Sequence, residues 1–309
     1  MKILGIGNAI VDILCKVSDD FLIKNSLTKS TMKLFSDENQ FKNLLTNLKI
    51  IKTVSGGSVA NSIVGLSQLG NKVGFIGKIS DDNFGDKYEK GLKNEKVEYF
   101  YSKKKEELPT GTCLILVTPD SERTMCTFLG TAGNINENDI GSEAIKKSEI
   151  IFLEGYLWDE GEPKKAFEKA INNANKVAMS LSDQFCVDRH KPHFLDLVKN
   201  KIDITFSNEQ EFTSLIEAKN FNDVINFAKK LNKLIIVTRG EKGAVAVNGE
   251  EVFESKIQKN LKIVDLTGAG DLFAAGFLHG YINKLSIKES LEKGTEMSSK
   301  IIQQIGARI

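Results

Sequence analysis

Asp265-Leu-Thr-Gly-Ala-Gly-Asp271 is the stretch on which the reading of this chain turns. Lys262 to Leu266 reads as a strand, and Leu272, Phe273, Gly276, Phe277, Tyr281 and Ile282 recur at helical spacing, so Gly268, Ala269 and Gly270 fall where a helix begins. The first N–H groups of a helix lack partners and carry the positive end of its dipole, which suits them to an anion. Asp271 is at odds with that, because a carboxylate repels the ligand the amides attract. Taken alone, the stretch also reads as an ordinary turn, with Asp capping a helix start and glycines closing a tight bend.

Outward from it, β-rich runs alternate with helical patterns. Lys2–Ile6, Val73–Ile79, Ile150–Leu153, Val177–Leu181, Asp203–Ser207, Leu234–Thr238 and Ala244–Val247 read as strands. Val59–Leu69, Phe84–Asn94, Lys164–Asn175, His190–Lys199, Glu209–Glu217 and Asp223–Leu231 carry apolar residues on one helical face. The alternation predicts an α/β protein with right-handed crossovers onto a mostly parallel sheet. Ile13–Val17 with Thr31–Phe35, and Glu98–Tyr101 with Thr112–Thr118 and Thr124–Leu129, are strand-like without intervening helices. They predict a small separate sheet, with a hairpin turn at Thr118-Pro-Asp-Ser-Glu122, and such an insertion is a natural lid. The expectation is one domain over 1–309, its lid contributed by about 13–36 and 97–130.

Composition narrows the partners. In 309 residues, 42 Lys and Arg nearly balance 41 Asp and Glu, so no global field favours nucleic acid or an anionic membrane. Lys103-Lys-Lys105 runs at once into Glu106 and Glu107, the pattern of a solvated loop. The apolar stretch Ile3–Leu14 is interrupted by Asn8 and Asp12 and no cleavage signal follows, and no segment approaches the length of a membrane span, so a cytoplasmic protein is expected. Cys15, Cys113, Cys126 and Cys186 form no CxxC pair and no cluster with His190 or His193, and read as buried, reduced thiols.

Other constellations carry chemistry. Gly5-Ile-Gly-Asn-Ala-Ile-Val-Asp12 lacks the third glycine of a dinucleotide fingerprint, since Ile10 stands there. Asn8 and Asp12 instead lie beyond the first strand, where α/β sheets bind polar small molecules. Ser55-Gly-Gly-Ser-Val-Ala-Asn61 puts Gly56 and Gly57 before a helix, where backbone approaches a ligand closely, and Asn61 offers a donor and an acceptor. Asn208-Glu-Gln-Glu211 opens a helix. Its carboxylates complement the helix dipole or hold water around Mg²⁺. Thr238-Arg-Gly-Glu-Lys-Gly243 closes another strand. No P-loop and no protein-kinase motif set occurs.

Together and in this order, Gly7-Asn-x-x-x-Asp12, Gly56-Gly57 with Asn61, Asn208-x-x-Glu211, Thr238-Arg-Gly240 and Asp265-x-Thr-Gly-Ala-Gly-Asp271 resemble the ribokinase-type carbohydrate kinase family. Within it the chain looks most like the adenosine kinase branch, on Gly7-Asn-Ala-Ile-Val-Asp-Ile13, Asp20-Phe-Leu22, Gly56-Gly-Ser-Val-Ala-Asn-Ser62, Thr110-Gly-Thr-Cys113 and Asp203-Ile-Thr-Phe-Ser-Asn-Glu209. The resemblance implies a ribokinase-like fold, a mostly parallel central sheet flanked by helices with a small β-sheet lid. It also implies ATP as phosphoryl donor, Mg²⁺, and a sugar or nucleoside hydroxyl as acceptor.

Carried over residue by residue, the resemblance makes Asp271 the catalytic base and Gly268, Ala269 and Gly270 the anion hole. Asp12 would hold the vicinal ribose hydroxyls, with Asn8, Gly56, Gly57 and Asn61 around the sugar and Phe128 against the nucleobase. Asn208, Thr238, Arg239, Gly240, Gly243 and Thr267 match positions near the nucleotide, and Glu211 matches the Mg²⁺ region, where it would meet the ion through water. A helix N-terminus would favour the ionised form of Asp271, a weak base that suffices because phosphoryl transfer needs its proton accepted late. Thr267 and Val59-Ala60 depart from animal adenosine kinases towards sugar kinases, which leaves a free sugar as the alternative acceptor. The matching loop of many relatives takes K⁺, here around Asp265 and Thr267. Adenosine kinases are often monomers, the state expected here. Sugar kinases often pair through their lids, and a binding module without turnover is a more distant alternative.

Overall fold

The computed structural model describes residues 1–120, 122–158 and 161–309. Its strands are β1 (Ile3–Ile6), β2 (Ile10–Lys16), β3 (Met32–Leu34), β4 (Ile50–Ser55), β5 (Val73–Ile76), β6 (Glu98–Tyr99), β7 (Gly111–Val117), β8 (Arg123–Phe128), β9 (Ile150–Glu154), β10 (Val177–Ser180), β11 (Ile204–Asn208), β12 (Leu234–Thr238), β13 (Ala244–Asn248) and β14 (Glu251–Ser255). Nine of them form a large sheet in the order β14-β13-β12-β11-β10-β9-β1-β5-β6, and five form a small sheet in the order β3-β8-β7-β2-β4. From β6 to β12 the large sheet is parallel; β13 and β14 add an antiparallel edge. This is the ribokinase-like α/β architecture.

Side chains alternate across the sheet, so successive residues of one strand serve different cores. Ile3, Phe75, Phe152, Phe206 and Ile236 meet the helices Ser58–Gln68, Ala269–Ile282 and Ile287–Ile301. Leu4, Ile6, Leu153, Met179 and Ile235 meet Glu162–Asn173, Gln184–Asp196, Glu209–Ile216 and Phe221–Leu231 on the other face. Both faces are covered, as the near-continuous apolar runs of the parallel strands require.

Several boundaries differ from the sequence reading. Glu98–Tyr99 pairs with β5 in the large sheet and not with the small one. The small sheet takes Ile50–Ser55 as its edge instead, a run with exposed Ile50 and Ile51 that carries no clean alternation. Lys262–Leu266 is no strand: Val264 and Asp265 donate their N–H groups to the single carbonyl of Ile302, at 2.8 and 3.2 Å. Of the expected hairpin turn, Ser121 lies outside the described residues, and Thr118 N donates to Glu122 O at 3.0 Å across it. Cys15, Cys113 and Cys126 are buried free thiols, while Cys186 is only half-buried. No helix among the described residues is long and apolar enough to cross a membrane.

Candidate active site

Strand order reverses between β1 and β9: from β1 the chain builds outward through β5, and from β9 it builds the other way. Ligands of open α/β sheets bind in the crevice at such a point, beyond the carboxyl ends of the strands. Here a cavity of about 600 Å³ opens there, roofed by the small sheet and reaching from Asn8 and Asp12 to Asn208, Glu211 and Thr238. The turn Gly268–Asp271 lies in its wall.

At the reversal, Asn8 follows β1 and Glu154 ends β9. Asn8 donates from Nδ2 to Glu154 Oε1 at 3.1 Å, and the N–H of Val59 donates to Oε2 at 3.0 Å. Because Nδ2 must face the carboxylate, Asn8 Oδ1 is left buried with no partner among the described residues. Burial pushes the Glu154 carboxyl up to about 7, against the hydrogen bonds from Val59 and Asn8. Glu154 was not singled out from the sequence, although a carboxylate ending a central strand was the available signal.

The paired glycines have separate reasons. Gly57 lies at φ +97°, and a side chain there would run into the carbonyl of Asn8. Gly56 faces Asp12, whose carboxylate occupies the space a Cβ would take. Asp12 is therefore seated against the turn, and burial raises it to about 7, with Arg308 opposing and Asp271 adding to the rise.

Asp271 accepts from Ser58 Oγ at 2.6 Å and from Asn61 Nδ2 at 2.9 Å. Asn61, inside its helix, thus has the polar partner that a plain helix cap left unexplained. Burial pushes Asp271 up to about 6, and the hydrogen bonds from Ser58 and Asn61 with the charge of Arg308 only partly offset this. The expectation that the helix terminus would dominate is corrected: desolvation wins.

The two glycines of the turn also differ. Gly268 is the N-cap at φ +77°, and a Cβ there would lie 2.7 Å from Ala307 Cα. Gly270 has nothing within 4 Å of where its Cβ would be, although it lines the cavity. The fold demands the first glycine, and the second leaves open the space beside its own N–H group; the N–H of Ala269, expected in the anion hole, donates instead to Leu266 O at 3.2 Å. Asp265, at the head of the turn, accepts from Thr267 N and Oγ1 and from Gly306 N, and pairs with Arg123 Nη2 of β8 at 2.8 Å. Arg123 Nη1 also donates to Thr267 Oγ1 at 3.3 Å, so the small sheet is tied to this turn.

Other predicted residues fall elsewhere. Phe128 points away from the cavity: along β8, Met125 and Thr127 face it, while Cys126 and Phe128 pack beneath the sheet, the Phe128 ring 5.7 Å from Phe41. Phe41 belongs to the helix Glu38–Thr46, which covers that outer face and was not read from the sequence. Arg239 does not reach the cavity. Its guanidinium makes two bonds to Glu209 and lies 3.6 Å from the Phe221 ring centroid. Gly240 and Gly243 shape the turn after β12 without lining the cavity, whereas Thr238 does line it. Glu211 is buried and closes a capping box with Asn208, and burial pushes its carboxyl up to about 7. Among the described residues no cluster of three His, Cys, Asp or Glu side chains forms a metal cage.

Comparison with known proteins fits this geometry. The profile described as "pfkB family carbohydrate kinase" matches residues 26–309. The chain belongs to that family. Among curated relatives, an adenosine kinase of Schizophyllum commune is 28% identical over 99% of this chain and 96% of its own length. A 5-dehydro-2-deoxygluconokinase of Mesomycoplasma hyopneumoniae (strain 7448) is 26% identical over 85% of this chain and 82% of its own. The crystal structure of adenosine kinase from Sinorhizobium meliloti superposes with a TM-score of 0.91 at 35% identity, covering 100% of this chain and 95% of that one. As a pfkB-family member the chain is a kinase of the nucleoside or sugar class.

Proposed function

We propose that this kinase transfers the γ-phosphoryl group of ATP to the 5′-hydroxyl of adenosine, giving AMP and ADP. The observation that carries this is the chemistry of the acceptor end of the cavity. Asn8 Oδ1 is an orphaned acceptor, and the carboxyl groups of Asp12, Asp271 and Glu154 line the same cavity. An acceptor-rich wall takes a ligand rich in hydroxyl donors, and a vicinal diol matches the two oxygens of Asp12. The same wall disfavours an acidic sugar. Opposite it, Ile10, Met32, Leu34, Cys113, Ile115 and Met125 offer an apolar surface of a kind a flat base covers and a free sugar does not. The base would rest on these aliphatic and sulfur side chains, not on Phe128.

In this reading the 5′-hydroxyl meets Asp271, held by Ser58 and Asn61. Its oxygen forms the new bond to the γ-phosphorus as the bond to the β-phosphate oxygen breaks, and its proton passes to Asp271. A carboxyl near 6 is ionised at pH 7 yet a better proton acceptor than a free Asp. The N–H groups of Gly268 and Gly270 stabilise the charge on the transferring group, in the space Gly270 leaves open. Mg²⁺, which keeps most of its water and binds through substrate phosphates, would neutralise charge there. Each oxygen of Glu211 takes one bond from Asn208 and retains a lone pair to hold such water. Thr238 lies at that nucleotide end. The small sheet acts as a lid that excludes water from ATP.

A panel of acceptors under ATP and Mg²⁺ tests the assignment: adenosine, other nucleosides, ribose, fructose and an acidic keto-sugar. Adenosine should give the highest kcat/KM. The free-sugar reading draws on the gluconokinase relatives and on Thr267, and a preference for any free sugar would replace the present one.

A further inference from the structure

The last residues of the chain enter this site. Gly306 N donates to Asp265 Oδ2 at 2.7 Å, and Ala307 packs on Gly268. Gln304 Nε2 holds the carbonyl of Arg308 at 3.1 Å, and Gln68 Nε2 holds that of Ile309 at 2.9 Å. Between these anchors the Arg308 side chain turns inward.

Its Nε donates to Asn61 Oδ1 at 3.0 Å, and Asn61 Nδ2 donates to Asp271 Oδ2 at 2.9 Å. A guanidinium only donates and a carboxylate only accepts, so the Asn61 amide between them has one permitted orientation. Arg308 Nη2 is buried without a hydrogen-bond partner, and the guanidinium makes no ion pair within 4 Å among the described residues. Its charge is felt through space instead. Burial raises Asp12, Glu154 and Asp271, the charge of Asp271 adds to the rise at Asp12 and Glu154, and Arg308 opposes it at Asp12 and Asp271. Arg123 acts on Asp12 from the small sheet, while Tyr88 and Glu95 face Arg308 from behind.

We propose that Arg308 is a positioning residue of the phosphoryl transfer: it aims Asn61 at Asp271 and places a positive charge beside Asp271 and Asp12. The proposal rests on the reading of Asp271 as the base. It makes the C-terminal residues part of the kinase site, a role that nothing in a terminal Gly-Ala-Arg-Ile announces.

The test reads Asp271 directly. Its carboxyl carbon is followed by NMR across pH in the wild type and in Arg308→Met, with Asp271→Asn giving the assignment and circular dichroism confirming the fold. Losing a nearby cation should raise the Asp271 midpoint by about one pH unit, and move the acid limb of kcat with it, so that turnover falls about fivefold at pH 6 and recovers towards pH 8.5. KM for ATP should stay unchanged. Arg308→Lys, which keeps the charge, should return the midpoint towards the wild type, and Arg308→Gln gives the same forecast as Met should the latter not fold. An unmoved Asp271 midpoint in the charge-removing variants, or an equal shift with Lys, would overturn the proposal. A wild type that phosphorylates no acceptor would instead defeat the reading it rests on, and the titration distinguishes the two.

Discussion

Asp12→Asn offers a quantitative handle on the cleft, because it separates the cost of burying a charge from the use made of it. In the folded protein burial holds Asp12 at about 7, against 3.8 in its absence. Three pH units correspond to about 4 kcal/mol as a ceiling. Asp12 is only partly shielded from the cleft, and Arg308 loses a counter-charge in the variant, so a gain of about 2 kcal/mol is expected at pH 8. The sign follows from proton binding: the folded state holds a proton that the unfolded chain releases from about pH 4 upward, so wild-type stability falls as pH rises towards 7. Asn carries no such dependence. Calorimetry should therefore show equal melting below about pH 4 and a variant that melts about 3 °C higher at pH 8. The same substitution should weaken acceptor binding, a stability gain at the expense of function. A variant that melts no higher at pH 8, or by the same margin at every pH, would refute the reasoning.

Gly270→Ala should leave the fold intact or gain up to about 1 kcal/mol, because no atom opposes the new Cβ and Ala favours a helix. Turnover should nonetheless drop at least about tenfold as the methyl enters the open space proposed for the phosphoryl group; unchanged kcat would remove the turn from that role. Phe128→Leu should cost about 1–2 kcal/mol in denaturant titration, with the acceptor KM unaltered, since its ring packs on Phe41. In the wild type, kcat should lose activity on the acid side with a midpoint near 6, set by Asp271; a limb near 4 would show that desolvation does not govern the base.

Much of this was legible in the chain. The large sheet followed from alternating apolar runs, and the glycine pairs and Asp271 were flagged by their place before helices. What escaped depended on packing. Phe128 was set against the base by resemblance alone; in β8 a single residue decides the face, so Thr127 lines the cavity and Phe128 packs on Phe41 of the helix Glu38–Thr46. Glu98–Tyr99 is too short for its partner to be read from pattern. The raised carboxyl of Asp271 is a property of burial, which local helix reasoning could not weigh. Arg308 reaches Asn61 across 247 residues of sequence, so only the fold reveals it.

The most direct test of the central claim compares wild type with Asp271→Asn, supplied with ATP, Mg²⁺ and adenosine, following AMP by chromatography. The account predicts AMP from the wild type and a kcat at least about 10²-fold lower in the variant, with adenosine KM little changed. Absence of AMP from the wild type, or turnover by the variant at a comparable rate, would contradict it.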